Sequence, residues 1–526
     1  MRRTRYAAVV AAIGMLLAAC GGGSDGGSGA ASGEAATIDD VDRSAEFRFG
    51  IQYGWSAFGD PHRGVAEGDA VWYRPIYERL LTFAPTEDGG IELAPQLATD
   101  WETSEDGLSL TFELREGVTF HDGTPFDAEA VKANLERATG PDSTVAGALA
   151  SIESIEVVDE HTVALHLAHP DPELPWSLSW GLPGLMVSPA AFDTDLEANP
   201  VGTGPYRLVS IQKDADAVYE RWDGHWDPDA ALTERLTIST VFDANARYNG
   251  LRNDEFDAVY LTTPLDAESR SLTDEGYHWV QGLSPISFGV LMNPDEPPFD
   301  DVRVRRAVNL AINRTEISEE LLDGLLPPTS QAFNAGYVGH DPDLPADAYD
   351  PDEARRLVEE AGAQGASFEI LHATSEPGNS MVAVVQQALA DIGLEAEPVP
   401  LSPSEQAPEW RRGGHAAALA HIIGQPEPSS TLRLSYLPDE GSLSNNPAET
   451  VDPELEELFE EGTRLPVGSE EREALYREIS NYLFEHPIHA PIVQFGSVTV
   501  CRPEVVGCEN LFELGRFEWR GIGVTG

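Results

Sequence analysis

The 526-residue chain carries 90 Asp and Glu residues against 33 Lys and Arg residues, which gives a formal net charge of −57. Such an acidic surface repels nucleic acids and anionic lipid headgroups, so both are poor candidates as partners. The length is sufficient for two or three domains with large hydrophobic cores.

The N-terminal 20 residues have the pattern of a bacterial export signal. Met1–Tyr6 contains three arginines, and Ala7–Ala19 is an uninterrupted apolar run. This run is shorter than the roughly 20 residues of a membrane-spanning helix, and a basic segment before it is typical of a secretory signal peptide. Leu17–Cys20 matches a lipobox, which predicts lipid attachment at Cys20. An ordinary signal peptide with an incidental cysteine is the alternative.

The segment that follows is rich in glycine and serine over residues 21–33. This composition is typical of a flexible linker. We therefore interpret residues 1–20 as a lipoprotein signal peptide with its lipobox and residues 21–44 as a tether. The folded body is expected to lie outside the cytoplasm, held at the membrane by its acyl chains.

Local signals then predict short strands and two helices over the first 170 residues of the body. Ser109–Leu114 alternates polar and apolar residues, as a half-buried strand does. Asp127 is predicted to cap a helix whose apolar face includes Val131 and Leu135. Pro75 is expected to interrupt a helix over residues 69–81. Further strands are predicted at Phe47–Tyr53, twice within Ser154–Leu167, and at Tyr206–Ile211.

Strands and helices alternate from residue 236 onward, which predicts an α/β fold. The strands are expected at Leu236–Phe242, Phe256–Leu261, Ile286–Met292, Ser367–Ala373, Glu395–Val399 and Ile492–Val500. The helices are expected at Ala244–Arg252, Met381–Ile392, Leu455–Arg464 and Glu470–Phe484. Two more helices are expected after the capping residues Asp301 and Asp350, the second with Pro351 at its first position and Gly362 at its end.

The sequence gives little support to a catalytic or metal site. Gly22–Gly26 fits the pattern G-x-S-x-G, but a nucleophile elbow requires a strand before it and a helix after it. His161, His166 and His169 are close in sequence, yet successive pairs would point to opposite faces of a strand. The acidic run 341–352 lacks the spacing of a calcium-binding loop. We therefore predict no enzyme activity, no metal site and no cofactor.

The three cysteines divide into one lipidation site and one pair. With Cys20 assigned to the lipid, Cys501 and Cys508 remain, and an oxidising compartment favours a disulfide between them. The loop that they enclose is short, so its contribution to stability would be modest, about 2–3 kcal/mol. A structural role is preferred over a redox role, which would favour a tighter C-x-x-C spacing.

Six segments of the sequence resemble landmarks of one known family. They are Tyr77–Leu81, Leu114–Gly123, Phe126–Leu135, Gly202–Tyr206, Val302–Arg314 and Pro328–Gln331. Together they resemble the family 5 solute-binding proteins, the peptide/nickel-type receptors of ABC importers, over nearly the whole chain after the tether.

The resemblance implies a two-lobed periplasmic-binding-protein type II fold with an extra domain inserted in the first lobe. Residues 45–281 and 490–526 would form the first lobe, with the extra domain at about 78–200, and residues 282–489 would form the second. Two chain crossings, near Gly282–Phe288 and His489–Phe495, would form the hinge. A two-stranded hinge permits the lobes to close while their walls stay rigid.

The resemblance also implies a ligand site between the lobes. Its expected lining residues are Tyr53, Trp55, Phe58, Phe288, Gln331, Gln425, Glu427 and Arg433. Core packing remains the alternative for each aromatic residue. In peptide binders of this family, an aspartate in the loop matching His421–Pro428 grips the α-amino group. Gly424 or Gln425 replaces that aspartate here, so Glu427 is the candidate carboxylate in its place.

These expectations describe an extracytoplasmic, lipid-anchored monomer that captures a small peptide-like solute and delivers it to ABC transporter permease subunits. Three alternatives stay open. The first is that the ligand is a non-peptide polar solute or a metal chelate. The second is that the protein is a sensory lipoprotein, and the third is that it is a secreted hydrolase.

Overall fold

The computed structural model of the protein describes residues 36–52, 54, 59–63, 70–86, 90–262, 271–273, 275–375, 377–437, 446–448, 450, 452–511 and 517–526. The predicted signal peptide with Cys20 lies outside the described residues. So do three of the expected cleft aromatics, Tyr53, Trp55 and Phe58.

The folded body begins at Thr37, earlier than the sequence-based boundary at residue 45. A short 3₁₀ turn at Ile38–Asp40 leads to Val41, which forms a bridge with Thr525 near the C-terminus. The N–H of Asp42 donates a 2.9 Å hydrogen bond to the carbonyl of Val524. The predicted tether was therefore too long at its C-terminal end, because these residues pair with the end of the chain.

The described strands, in chain order, form one large sheet and three smaller ones. They are β1 (Glu46–Ile51), β2 (Leu81–Pro85), β3 (Ile91–Pro95), β4 (Ala98–Thr103), β5 (Ser109–Leu114), β6 (Ile152–Asp159), β7 (Thr162–Leu167), β8 (Tyr206–Ile211), β9 (Asp216–Arg221), β10 (Arg235–Thr240), β11 (Ala258–Thr262), β12 (His278–Met292), β13 (Ser367–Ala373), β14 (Glu395–Leu401), β15 (Ala417–Ile422), β16 (His489–Cys501), β17 (Val505–Val506) and β18 (Gly523–Val524).

The described α-helices cover the faces of these sheets. They are α1 (Ala70–Tyr73), α2 (Ala128–Ala138), α3 (Leu174–Trp180), α4 (Ala244–Arg252), α5 (Val302–Ala311), α6 (Arg314–Glu316), α7 (Pro351–Ala361), α8 (Gly378–Asp391), α9 (Pro403–Arg411), α10 (Pro428–Ser435), α11 (Pro453–Arg464) and α12 (Glu470–Glu485).

The large sheet has the described strand order β14-β13-β15-β12-β16-β11-β1-β10-β9-β8. Its centre is the antiparallel pair of long strands β12 and β16, which pair from His278 with Cys501 to Leu291 with His489. One hydrophobic core packs on β1, β10 and β11, and a second packs on the residues of β12, β13, β15 and β16 nearer Met292. Because β12 and β16 run through both halves, they are the connection between two lobes.

Residues within the predicted extra domain have a core of their own. Strands β4, β5, β7 and β6 form an antiparallel sheet in that order, and α2 packs against it. Its buried residues include Phe112, Val131 and Leu165. This third core lies between the chain entering and leaving the first lobe, within the segment 78–200 that was expected to hold an insertion. We refer to this segment as the insert.

Many predicted elements agree closely with the observed ones. Strands β5 and β13 and helix α4 have the predicted bounds, and α1 ends at Tyr73, before Pro75. The elements that were missed include β2, β3, β4, β9, β15, α9 and α10. Strand β15 reads AALAHI, and its alanines carry little strand propensity. It forms a strand because it pairs with β12 on one side and β13 on the other.

Helix α7 shows how local side chains fix a helix end. The Asp350 carboxylate accepts a 3.0 Å hydrogen bond from the N–H of Glu353, Pro351 occupies the first position, and Gly362 ends the helix with φ of 69°. We expect Asp350→Ala to lower the free energy of unfolding by about 1 kcal/mol in urea titrations, because that N–H loses its acceptor. The neighbouring Asp352→Ala, which removes an exposed carboxylate, should change it by less than about 0.5 kcal/mol. Equal losses in the two variants would contradict the assigned cap.

Cys501 ends β16 and is joined to Cys508 by a disulfide, and both residues are buried. Among the described helices, none combines the length and the apolar character that a bilayer crossing requires.

Candidate functional site

The carboxyl ends of two sets of parallel strands face each other across the centre of the large sheet. In the first lobe β1 is parallel to β10 and β11, and in the second β13 is parallel to β14 and β15. The last residue of β11 pairs with Ser497, and the last residue of β15 pairs with Ser287. Both pairings lie at the middle of β12 and β16, approached from opposite sides. Ligands of open α/β sheets bind outside such carboxyl ends, so this gap is the candidate site, which we call the cleft.

The floor of the cleft is an irregular stretch of β12. Its ladder with β16 shifts register between Leu283 and Ser287, which leaves backbone groups without strand partners. Buried side chains bind them instead. Asn334 Nδ2 donates to the carbonyl of Pro285 at 2.8 Å, and Gln494 Nε2 donates to that of Ser284 at 3.0 Å. Asn334 of the second lobe and Gln494 of β16 thus replace the strand partners that the irregular stretch lacks.

Three rings stand side by side at the second-lobe edge of this floor. His421 lies 5.2 Å from Phe288 and 4.7 Å from Phe495 between ring centroids, both in edge-to-face geometry. The two phenylalanines are buried, whereas His421 is exposed. Desolvation nevertheless lowers the pKa of His421 to about 4.

The loop after β15 approaches the floor too closely for a side chain at its glycine. A Cβ atom added to Gly424 would lie 1.9 Å from the carbonyl oxygen of Pro285. The backbone of Gln425 is fixed by Thr431, whose hydroxyl accepts its N–H at 2.8 Å and donates to its carbonyl at 3.1 Å. An aspartate at position 424 therefore does not fit this loop, while the Gln425 side chain is partly exposed.

Glu427, the expected ligand carboxylate, is turned into the protein. Its side chain is 2% exposed and forms an ion pair with Arg472, which is equally buried. The Glu427 carboxylate also accepts a 2.9 Å hydrogen bond from the Ser429 hydroxyl at the start of α10. Burial raises the pKa of Glu427, and the Arg472 guanidinium opposes that shift. The expectation of a free carboxylate at Glu427 does not agree with this geometry, because the charge already has an internal partner.

Arg433, one turn further along α10, reaches across to the insert. Its Nη2 atom lies 2.6 Å from a carboxylate oxygen of Glu173, the residue before α3. The Glu173 side chain is 16% exposed and that of Arg433 48% exposed. Burial raises the pKa of Glu173, and Arg433 acts against this. The pair joins the second lobe to the insert along one side of the cleft.

Gln331 fills an internal position as well. Its amide nitrogen donates to the carbonyl of Asp341 at 2.9 Å, and its amide oxygen accepts the N–H of Asp341 at 3.0 Å. The Ser480 hydroxyl donates to the same oxygen. The side chain is buried and closes the loop 331–341, so a contact with a ligand is not part of this geometry.

Two aromatic contributors were missed by sequence reasoning. The Tyr337 ring packs with Phe83, Ile91 and Trp180 of the insert, and its hydroxyl donates to the carbonyl of Leu283 in the floor at 3.2 Å. Phe242 lies two residues after the carboxyl end of β10 and is 66% exposed. An exposed phenylalanine between a strand and the cap of the next helix is a signal that could have identified the second of these. Tyr337 carries no local signal.

Among the described residues, no group of three or more His, Cys, Asp or Glu side chains is arranged to hold a metal ion.

Comparisons with known proteins agree with this architecture. Residues 92–442 match the family model described as "Bacterial extracellular solute-binding proteins, family 5 Middle". The dipeptide-binding protein of Escherichia coli K12 is 28% identical over 390 residues, which cover 66% of this chain and 70% of that protein. The heme-binding protein A of Haemophilus influenzae is 26% identical over 493 residues, covering 86% and 87%.

One solved structure matches this chain over most of the length of both proteins. The crystal structure of an ABC transporter substrate-binding protein from Sinorhizobium meliloti superposes with a TM-score of 0.74 at 26% identity, covering 92% of this chain and 100% of that chain. The two lobes and the facing strand ends are therefore those of the type II periplasmic-binding-protein fold. The chain belongs to the bacterial extracellular solute-binding proteins of family 5, the substrate-binding proteins of ABC transporters.

Proposed function

We propose that this protein captures a small peptide-like solute in the cleft and delivers it to the permease of an ABC importer, without altering it chemically. The observation that carries the proposal is the meeting of two sets of parallel strand ends over a floor shared by both lobes. A site built this way can enclose a small molecule when the lobes approach and expose it when they separate.

Closure would be stabilised by contacts between the second lobe and the insert. The Glu173–Arg433 pair is one such contact, and the packing of Tyr337 on Phe83 and Trp180 is another. Gly90 and Gly336 also meet backbone to backbone, since a Cβ at Gly90 would lie 1.8 Å from the Gly336 carbonyl oxygen. The Glu173–Arg433 and Gly90–Gly336 contacts do not involve the floor, so they can report lobe closure independently of solute contacts.

For direct solute contacts we propose the first-lobe aromatics Tyr53, Trp55 and Phe58 together with Gln425. Phe288, which is buried, is proposed to support the floor from below. Arg433 is proposed to act at the side of the cleft through its pair with Glu173. Glu427 and Gln331 are proposed to shape the second-lobe wall from within, because their polar atoms already have internal partners.

A non-peptide polar solute is the second candidate, and one observation favours it. The loop after β15 offers no free carboxylate for an α-ammonium group, because Gly424 has no room for a side chain and Glu427 is paired with Arg472. A peptide would then need an acidic group elsewhere in the cleft to bind its amino end.

Mass spectrometry of small molecules released on denaturing the purified protein would decide between the candidates. A released peptide, with rebinding that reduces the radius of gyration in solution scattering, is the expected result. Release of a non-peptide with the same contraction would favour the second candidate. A radius of gyration that no released or added solute changes would contradict capture by lobe closure.

We propose that a lipid on Cys20 attaches the protein to the membrane. The protein would lie outside the cytoplasm, as a monomer. Cys20→Ser should move the protein from the membrane fraction to the soluble extracytoplasmic fraction, because a single substitution removes the acylation site. Unchanged membrane association in this variant would contradict the anchor. A wild-type N-terminal peptide whose mass lacks acyl chains would do so as well.

A further inference from the structure

The turn between β8 and β9 carries a carboxylate at the first-lobe edge of the cleft. Because β9 pairs antiparallel with β10, this turn lies beside the carboxyl end of β10. The N–H of Thr240, the last residue of β10, donates a 2.8 Å hydrogen bond to the carbonyl of Ala215 in the turn. Asp214, the residue before Ala215, is exposed. It therefore lies at the same edge as the first-lobe strand ends that define the cleft.

Asp214 also contacts the chain that follows β1. Its Oδ1 atom lies against Gly54, because a Cβ added to Gly54 would be only 2.4 Å from that oxygen. In the sequence Gly54 stands between Tyr53 and Trp55, which we propose as solute contacts. The backbone of Asp214 is in the left-handed region, with φ of 56°, a conformation that aspartate tolerates better than most residues. The turn thus places the carboxylate beside the chain that carries the proposed first-lobe contacts.

Other carboxylates around the cleft already have partners. Those of Glu427 and Glu173 are each paired with an arginine. Asp243, which follows β10, accepts a backbone N–H at 2.8 Å as the cap of α4. The Asp214 carboxylate, in contrast, forms no hydrogen bond or ion pair with any residue that the structure describes, including its neighbour Lys213. Its charge is therefore available to a solute.

We propose that Asp214 binds an ammonium group of the solute and so determines specificity for the amino end of a peptide-like ligand. This inference rests on the proposed function, and it assigns the acidic group that the loop after β15 lacks. A carboxylate and an ammonium form a charge-assisted hydrogen bond, which is stronger than a bond between neutral groups. Approach of the lobes would remove water from this bond and strengthen it. We expect the loss of this contact to reduce the affinity about tenfold.

Calorimetry with Ala-Ala-Ala and N-acetyl-Ala-Ala-Ala tests the contact, because acetylation converts the ammonium into an uncharged amide. We expect the native protein to bind the free tripeptide about tenfold tighter than the acetylated one. Asp214→Asn should bind the free tripeptide about tenfold more weakly and the acetylated one as before. Asparagine also tolerates a positive φ, so the turn is expected to keep its shape.

Asp216→Asn is the matched control. It makes the same change of net charge at an exposed position two residues away and should leave both affinities unchanged. If Asp214→Asn keeps the native preference for the free tripeptide, or if Asp216→Asn loses it equally, Asp214 is not the residue that binds the ammonium.

The remaining outcomes separate this subsite from the proposed function. Equal affinity of the native protein for the two tripeptides overturns the role of Asp214 and leaves the capture of a peptide intact. If neither tripeptide binds, the solute recovered from the native protein replaces them. A recovered non-peptide amine that binds Asp214→Asn about tenfold more weakly supports the ammonium subsite and removes the peptide assignment. A recovered solute without an amino group overturns the subsite, whatever its effect on lobe closure.

Discussion

Replacing Arg472 by methionine should lower the free energy of unfolding by about 3–5 kcal/mol, the largest stability loss that we expect from one substitution in this protein. Arg472 and Glu427 are each 2% exposed, so the substitution leaves a buried carboxylate without its counter-charge. Arg472 also donates to the carbonyl of Gly462 at 3.1 Å and lies over the Tyr476 ring. Urea titration measures the loss.

The pH dependence of this loss distinguishes charge from packing. Burial raises the pKa of Glu427, and without Arg472 only the hydrogen bonds from Ser429 oppose that shift. When the pKa of a carboxyl is higher in the folded state than in the unfolded state, raising the pH lowers the free energy of unfolding. The loss begins near the unfolded-state pKa and is complete above the folded-state pKa. The deficit of Arg472→Met should therefore be smaller at pH 5 than at pH 8, whereas a deficit from lost packing would not depend on pH.

Two control variants sharpen the experiment. The double variant Glu427→Gln with Arg472→Met removes both charges, so it should regain much of the stability lost in Arg472→Met. Arg464→Met breaks the exposed pair with Glu460 and should cost less than about 1 kcal/mol. If the double variant is no more stable than Arg472→Met, the buried charge is not the cause of the loss.

Arg433→Glu should weaken solute binding by about tenfold, or ~1.4 kcal/mol, and keep the lobes apart in the presence of solute. The substitution places a carboxylate opposite Glu173, where Asp171 and Glu427 already add negative charge. Closure would then bring like charges together in a partly desolvated position. The solute recovered from the native protein serves as ligand, with calorimetry for affinity and solution scattering for closure.

Charge reversal provides the matched test. Combining Glu173→Arg with Arg433→Glu restores an opposite pair and should return affinity to within about threefold of the original protein. Arg477→Glu makes the same change of net charge on exposed α12, away from the insert, and should leave affinity unchanged. Lowering the pH should also reduce the loss of solute affinity in Arg433→Glu. Burial raises the pKa of Glu173, and protonation of this carboxyl removes the repulsion. If Arg477→Glu loses as much solute affinity as Arg433→Glu, the change in net charge, and not the broken pair, explains the loss.

Much of the fold could be predicted because its signals are local. The caps at Asp127, Asp301 and Asp350 each lie within three residues of the N–H that they accept, so the sequence contains both partners side by side. Strand β5 alternates in exposure as it alternates in sequence. The placement of the lobes came from the resemblance, because no periodicity reveals that β12 and β16 run side by side.

The site was predicted less well because its determinants lie far apart along the chain. Glu427 was a reasonable candidate in its loop, but its partner Arg472 is 45 residues away. Glu173 and Arg433 are separated by 260 residues. The crowding at Gly424 depends on Pro285, which lies on a different strand. His421 was quoted only as part of its loop, since its ring contacts come from two neighbouring strands.

The position of β16 has a consequence for how the molecule is made. It is the last of the ten described large-sheet strands in chain order, yet it lies near the middle of that sheet, between β12 and β11. Until it has emerged, each half of the sheet keeps an unpaired edge that could join another chain. A polypeptide that emerges from its N-terminus therefore completes neither lobe until its final tenth has emerged.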